Sequence, residues 1–119
     1  MIARQTPPSE IRVSKDKRTM TLAWPGREPE ELSAEYLRVH SPSAEVQGHR
    51  ASERKTQFGK RDVEIRKIQP VGNYAIKISF SDGHDTGLYS WTYLSELAAE
   101  KDEKWAAYIH ELEEKGLPR

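Results

Sequence analysis

Two short stretches near the start of the chain alternate apolar and polar residues. They cover residues 10–14 and 19–24, and their apolar members are Ile11, Val13, Met20, Leu22 and Trp24. A period of two is typical of strands with one buried face, and the polar residues 15–18 between the stretches suit a turn. The pattern therefore predicts a β-hairpin that ends at Pro25-Gly26.

A short helix is predicted next, over residues 30–39. Leu32 and Tyr36 are four residues apart, which places them on one helical face. Pro29 suits a first helical turn, where no backbone donor is required, and Pro42 stops the helix. Residues 40–60 are polar and basic without a clear period, and such long irregular segments are either functional or simple connections.

The second half of the chain predicts a further group of strands. Residues 63–65 alternate, and Ile68 falls out of phase with them, which indicates a bulge. The clearest alternation in the chain has an apolar face formed by Tyr74, Ile76, Ile78 and Phe80. Asp82-Gly83 is a turn signal, and residues 87–89 are predicted to form a short return strand.

Two helices complete the pattern. Ser90 is suited to cap a helix that begins at Trp91, and a second helix ends at Gly116 with His110 on its exposed side. The apolar residues of that second helix are Trp105, Tyr108, Ile109 and Leu112. We therefore predict an α+β fold, with a small antiparallel β-hairpin sheet, a short helix after the first hairpin, and C-terminal helices packed on the sheet.

Composition narrows the class of protein. The chain has 119 residues, with 19 Lys or Arg, 19 Asp or Glu and no Cys. We expect a disordered lead-in (1–8), one domain and a C-terminal helix extension (99–119). The lack of Cys excludes disulfides and thiolate metal sites built from this chain alone. No apolar stretch suits a membrane span or a secretory signal, so we expect no membrane partner and a cytoplasmic location.

The net charge of zero conceals an asymmetry. Residues 1–81 hold 15 basic and 10 acidic side chains, whereas residues 82–119 hold 4 and 9. Either the acidic part is a solvated helix face, or the two parts form a dipolar surface that self-associates or docks a charged partner. The segment between Arg50 and Lys67 is rich in basic residues, but acidic residues lie among them and Phe58 is its one aromatic residue. Nucleic-acid surfaces usually have a stronger basic excess and more stacking rings, so we expect no nucleic-acid surface here.

Motifs for chemistry are sparse. No Gly-rich phosphate loop occurs, and Ser90 is better explained as a helix cap than as a nucleophile. The four histidines show no HxH or HxxxH spacing. His40, His49 and His84 could in principle bind a divalent ion together with acids such as Glu45, but ordinary hydrogen bonding explains each of them better.

Four segments together carry a family pattern. They are residues 37–49 (LRVHSPSAEVQGH), 59–63 (GKRDV), 71–75 (VGNYA) and 80–91 (FSDGHDTGLYSW). The chain thereby resembles the DUF971 family, also called the gamma-butyrobetaine hydroxylase-like N-terminal domain, over roughly residues 9–98, and looks like a stand-alone bacterial member. In the carnitine-pathway hydroxylases this domain precedes a separate catalytic domain that depends on iron and 2-oxoglutarate. Related domains are fused to P-loop iron–sulfur carrier ATPases, so the resemblance implies an accessory role.

The resemblance also implies a zinc position. In those hydroxylases three cysteines and a histidine bind one structural zinc, and these positions fall here on Ser41, Ser43, Val46 and His84. Hydroxyl groups are poor zinc ligands and Val is none, so we expect a vestigial site without tightly bound zinc and no other cofactor. Hydrogen bonds among Ser41, Ser43, Glu45 and His84 are expected to replace the metal.

These observations favour a non-enzymatic domain that binds another protein or a second copy of itself. The expected interaction residues are Arg38, His40, Glu45, His49, His84, Tyr89 and Trp91. Residues such as Tyr89 and Trp91 are more often part of a core, and that alternative stays open. A second hypothesis is a metal-associated module, either with a degenerate zinc site or as a helper in iron–sulfur cluster handling, and a third is a small enzyme.

Overall fold

The first three strands form one antiparallel sheet. The computed structural model describes residues 6–48 and 54–119, and it places β1 (Glu10–Val13), β2 (Thr19–Ala23) and β3 (Glu30–Ser33) in the order β1-β2-β3. The predicted hairpin is confirmed, with Ile11 opposite Leu22 and Val13 opposite Met20. Met20 and Leu22 are fully buried, so the alternation in β2 marks the face that covers the core.

The predicted helix over residues 30–39 is wrong in its first part. Glu30–Ser33 is β3, which pairs with β2, and α1 begins only at Ala34 and ends at Val39. Ser33 has extended backbone angles, and its hydroxyl accepts a hydrogen bond from the Tyr36 backbone N–H. The hydrogen-bonded pairing with β2 therefore continues up to Ser33, the residue that caps the helix. The backbone becomes helical only after Ser33.

The long segment predicted to be irregular contains one short element. Ser43 accepts a hydrogen bond from the Glu45 backbone N–H and caps α2 (Ala44–Gln47), a single helical turn. Residues 54–60 are irregular, as expected.

The second antiparallel sheet has the order β4-β5-β6. Its strands are β4 (Ile65–Val71), β5 (Ala75–Phe80) and β6 (Leu88–Ser90). The register shifts between Ile65 and Lys67, which confirms the predicted bulge. Tyr74 was expected on the buried face of β5 but lies in the preceding turn, where 56% of it is exposed. The backbone N–H of Ile65 donates to Lys17 O at 2.8 Å and joins this sheet to the first hairpin.

Two helices follow the second sheet. The predicted cap is confirmed, because the Ser90 hydroxyl accepts from the Tyr93 N–H at the start of α3 (Trp91–Ala99). The next helix, α4 (Lys101–Lys115), ends at Gly116, whose φ of 64° explains why glycine stands there. In the described part of the chain, none of the helices combines the length and apolar character needed to cross a bilayer.

Both sheets and α3 share one core, and α4 packs on α1 through a smaller one. The smaller cluster contains Val39, Tyr108 and Leu112. Three tyrosines extend from α3, β6 and α1 to backbone carbonyls of the facing helix: Tyr93 donates to His40 O, Tyr89 to Leu37 O and Tyr36 to Leu97 O, each at 2.6 Å. Helix α1 is thereby fixed against the second half of the chain, and the segment that leaves its C-terminal end is held beside the β5–β6 turn.

Candidate functional site

The segment that follows α1 packs directly on the turn between β5 and β6. Ser41 is fully buried, and the close approach depends on Gly87. A Cβ atom at residue 87 would lie 2.5 Å from Ser41 Oγ, which is too close for any side chain. The two segments that carry most of the sequence pattern described above therefore meet in space.

A chain of hydrogen bonds joins these two segments, and we call Ser41, Ser43, Glu45, His84 and Thr86 the serine–histidine network. Ser41 Oγ lies 2.8 Å from His84 Nε2, and Glu45 Oε1 lies 3.3 Å from His84 Nδ1. The Ser43 hydroxyl pairs with Thr86 Oγ1 at 2.7 Å, and the Ser43 backbone N–H donates to Ser41 Oγ at 3.2 Å. The hydrogen bonds expected among the first four of these residues are therefore present.

Serine hydrolases also have an acid hydrogen-bonded to a histidine that is hydrogen-bonded to a serine. A catalytic role would require the serine to be accessible to a substrate. Ser41 has no exposed surface, and His84 is 7% exposed. Burial, followed by the nearby Arg38 charge, lowers the pKa of His84, so its ring is neutral at pH 7. A neutral ring with its proton on Nδ1 donates to Glu45 and accepts from Ser41, which uses both nitrogens inside the protein.

Asp82 anchors the other side of the turn. Its Oδ2 atom accepts from Arg38 Nε at 2.8 Å and from Lys60 Nζ at 2.6 Å, and its Oδ1 atom accepts from the His84 backbone N–H at 3.2 Å. Partial burial alone would raise the pKa of Asp82, but the hydrogen bonds from Lys60 and His84 and the Arg38 charge lower it to about 2. The carboxylate thus holds α1, the segment before β4 and the turn together in its charged form.

Four of the predicted interaction residues are buried in this structure. Arg38 and His84 are buried in the contacts just described, and Tyr89 is fully buried. Trp91 is 9% exposed, and its Nε1 donates to Asn73 O at 2.7 Å, so its indole belongs to the core. These side chains pack and hydrogen-bond inside the fold, and for Tyr89 and Trp91 this is the core alternative that the sequence left open.

The other predicted residues divide differently. Glu45 has a side chain that is 66% exposed. His40 is half-buried, with Nδ1 at 2.9 Å from Tyr36 O, and burial lowers its pKa. His49 lies outside the described residues. His110 is exposed and lies 3.3 Å from Glu114, as its position on α4 predicts.

Some participants escaped the sequence reasoning. Thr86 and Gly87 were assigned only to a turn and a short strand, yet one completes the network and the other makes room for it. The signal available for Gly87 was a glycine as the first residue of a predicted strand, and glycine in a strand often marks a close backbone approach.

The resemblance places zinc ligands at four positions of this chain, and the structure shows which atoms those positions present. The hydroxyls of Ser41 and Ser43 are engaged with His84 and Thr86, and Val46 is 1% exposed and presents only methyl groups. Within residues 6–48 and 54–119, no group of three or more His, Cys, Asp or Glu side chains is arranged to hold a metal ion. The residues at these positions do not fit a tight zinc site.

A family model described as gamma-butyrobetaine hydroxylase-like, N-terminal, matches residues 11–95, a segment that contains the whole serine–histidine network. The chain belongs to this family. Family membership agrees with the resemblance carried by the four sequence segments. The matched segment includes all six strands except the first residue of β1.

Solved structures of relatives show the same fold. One protein studied by solution NMR is 49% identical with a TM-score of 0.85, and the match covers 97% of this chain and 90% of that chain. A second NMR structure is 38% identical with a TM-score of 0.80, covering 96% and 85%. A crystal structure from Acidithiobacillus ferrooxidans, described as a DUF971 family protein with unknown function, is 37% identical with a TM-score of 0.67, covering 82% and 98%. No functionally curated protein matches the chain.

Proposed function

We propose that this family member is a non-catalytic, cytoplasmic accessory domain that acts by binding another protein or a second copy of itself. The observation that carries the proposal is the chain of hydrogen bonds from the exposed Glu45 through the buried His84 to the buried Ser41. Both His84 nitrogens and the Ser41 hydroxyl already have partners inside the protein, and no surface of Ser41 is open to a substrate. These groups are better suited to linking two segments of the fold than to proton or acyl transfer.

The network takes the structural place that zinc has in the related hydroxylases. A structural zinc joins distant segments, and here the link between the segment after α1 and the β5–β6 turn consists of hydrogen bonds. The Ser43–Thr86 and Ser41–His84 pairs each bridge 43 positions of sequence, which is the kind of long-range constraint a metal provides. We infer that the metal was given up and its stabilising role retained.

The exposed apolar side chains support the binding role. Phe58 is 49% exposed, Tyr74 56% and Leu88 44%. Aromatic and large aliphatic residues are what protein interfaces bury, and Glu45 is a charged side chain that is also exposed. A partner that docks near α2 would contact the network directly through Glu45.

The structural role is tested by replacing His84 with Ala and measuring urea unfolding with and without chelator. We expect His84→Ala to lower the free energy of unfolding by about 1–3 kcal/mol, because Ser41 then loses its buried partner. His110→Ala is the matched control, since its exposed pair with Glu114 contributes at most about 0.5 kcal/mol. Chelator should leave the wild-type unfolding curve unchanged.

Other results would contradict this assignment. Equal stability of His84→Ala and wild type would show that the network does not hold the fold together. Stoichiometric zinc in protein purified without a histidine tag, lost together with stability on chelation, would favour the metal-associated module.

The binding role needs its own measurement. We expect light scattering on a sizing column, or a pull-down from native extract, to detect a dimer or a retained partner. A Tyr74→Ser/Leu88→Ser variant should lose it at an unchanged melting temperature, because both side chains are exposed. A strictly monomeric protein that retains no partner would contradict the proposal.

A further inference from the structure

A cavity that none of the residues of the serine–histidine network lines has the size and chemistry of a ligand site. Its volume is about 610 Å³, and it lies between the β2–β3 pair, α1 and α4. Small-molecule sites fall roughly between 300 and 1,000 Å³ and combine apolar walls with a few polar groups. The apolar wall here is formed by Val63, Trp105 and Ala106.

The acidic groups around this cavity are not equivalent. The side chain of Glu35 is 5% exposed. Its carboxylate accepts hydrogen bonds from Arg119 Nη2 at 2.7 Å, from Arg119 Nε at 3.1 Å and from the Tyr108 hydroxyl at 2.7 Å. Burial alone would raise the pKa of Glu35, but these hydrogen bonds lower it. The charge of Glu35 is therefore already compensated, and Glu31 and Asp102 are exposed residues of the lining.

The basic groups are in a different state. Arg61 lines the cavity and is exposed, and its charge acts on Glu35 and Tyr108, although no hydrogen bond or ion pair joins it to another of the described residues. Lys101 also lines the cavity, and it donates to the backbone oxygen of Glu31 at 3.0 Å. Arg119 is held by Glu35 with its guanidinium 5.2 Å from the Trp105 ring centre. The cavity thus presents an exposed guanidinium whose charge acts on the buried Glu35, together with an aromatic wall.

We propose that this cavity binds a small organic carboxylate whose apolar or aromatic body lies against Trp105. A guanidinium forms paired hydrogen bonds with a carboxylate, and the free Arg61 can supply both donors without breaking an existing pair. The indole of Trp105 is half-buried and offers a flat apolar surface to the rest of the ligand. The exposed Glu31 and Asp102 disfavour more highly charged anions, which is why we assign a monoanion.

The test uses 3-phenylpropionate as the probe, followed by amide and arginine side-chain NMR shifts and by calorimetry. We expect saturable binding with a dissociation constant on the order of 1 mM, and shifts concentrated at the Trp105 indole N–H and the Arg61 side chain. The neutral amide and the corresponding amine, 3-phenylpropylamine, should each bind at least about fivefold more weakly, because neither pairs with a guanidinium.

Two variants separate the site from general charge effects. Arg61→Gln should weaken 3-phenylpropionate at least about fivefold, whereas Arg66→Gln should not, since Arg66 is an exposed arginine paired with Glu64 at 3.6 Å outside this cavity. Both residues are exposed, so both variants should fold. Equal affinity in the two variants, shifts located elsewhere, or tighter binding of the amine would overturn the proposal. Tighter binding of phenyl phosphate than of the carboxylate would overturn the assignment to a monoanion.

Discussion

Replacing Arg119 with Ala probes the ion pair that holds residue 119 against α1. The change removes two hydrogen bonds to the Glu35 carboxylate, at 2.7 and 3.1 Å, and the guanidinium near the Trp105 ring. Tyr108 continues to donate to Glu35, so one of the three hydrogen bonds to the carboxylate survives. The Glu35 side chain, which is 5% exposed, then keeps only the Tyr108 hydroxyl and the charge of Arg61 as favourable partners among the described residues.

The expected cost follows from this geometry. Removing one member of a fully buried ion pair costs about 3–5 kcal/mol. The Arg119 side chain is 36% exposed, so water screens the pair, and the remaining hydrogen bond from Tyr108 stabilises the carboxylate. We therefore expect Arg119→Ala to lower the free energy of unfolding by about 2 kcal/mol at pH 7.

The pH dependence separates lost charge pairing from lost packing. The pKa of Glu35 lies below its ordinary value of 4.5 in the folded wild type, so its stabilising contribution is present above that pH and is lost as the pH falls further. The difference between wild type and Arg119→Ala should accordingly shrink below about pH 4.5. A difference that stays constant down to pH 3 would indicate packing alone.

Urea unfolding at several pH values is the assay, and two further variants complete it. Arg12→Ala, which breaks an exposed pair with Glu10 at 3.1 Å, should cost at most about 0.5 kcal/mol. Glu35→Gln combined with Arg119→Ala should be more stable than the sum of the single changes predicts, because the unpaired charge is gone. Strict additivity, or a loss from Arg119→Ala as small as that of Arg12→Ala, would refute the reasoning.

Two other changes have defined outcomes. Gly87→Ala should lower the free energy of unfolding by about 2–3 kcal/mol, because its Cβ would lie 2.5 Å from Ser41 Oγ. The control is Gly83→Ala, where φ is 90° and no atom lies within 4 Å of the added Cβ, and it should cost only about 1 kcal/mol. Calorimetric unfolding of both variants measures the two losses. A larger loss for Gly83→Ala than for Gly87→Ala would be inconsistent with this packing. The pKa of Asp82 is lowered from 3.8 to about 2, and after solvent screening this shift adds about 1 kcal/mol to the free energy of unfolding. That contribution is complete above about pH 4 and is lost towards pH 2, so acid unfolding of Asp82→Asn should lack this component, and identical acid limbs would contradict it.

Local pattern was sufficient for much of the fold. The alternation of Met20 and Leu22 located β2, the phase of Ile68 located the bulge, and Ser90 located the start of α3. Each of these signals depends on neighbours within a few residues, which is the distance over which periodicity and capping act. The third strand was missed because Glu30–Ser33 is only four residues long and is defined by its pairing with β2.

The candidate site shows the same division. The family pattern placed Ser41, Ser43 and His84 together, and the structure contains their hydrogen bonds. Which side chains remain exposed could not be predicted, because burial of Trp91 depends on packing with the core and on Asn73 in a distant turn. Arg61 likewise appeared only as one of several basic residues, and its position in the wall of a cavity becomes visible only when the surrounding elements are placed.

The three tyrosine hydroxyl bonds have a consequence for how the chain can be divided. Helix α1 has six residues, too few to persist in water without tertiary support, and Tyr89 and Tyr93 supply part of that support from beyond residue 87. In return, Tyr36 of α1 holds the C-terminal end of α3. A fragment that ends before β4 would retain all three strands of the first sheet but would not retain an ordered α1. We therefore expect the two sheets, which share one core, to unfold together in a single transition.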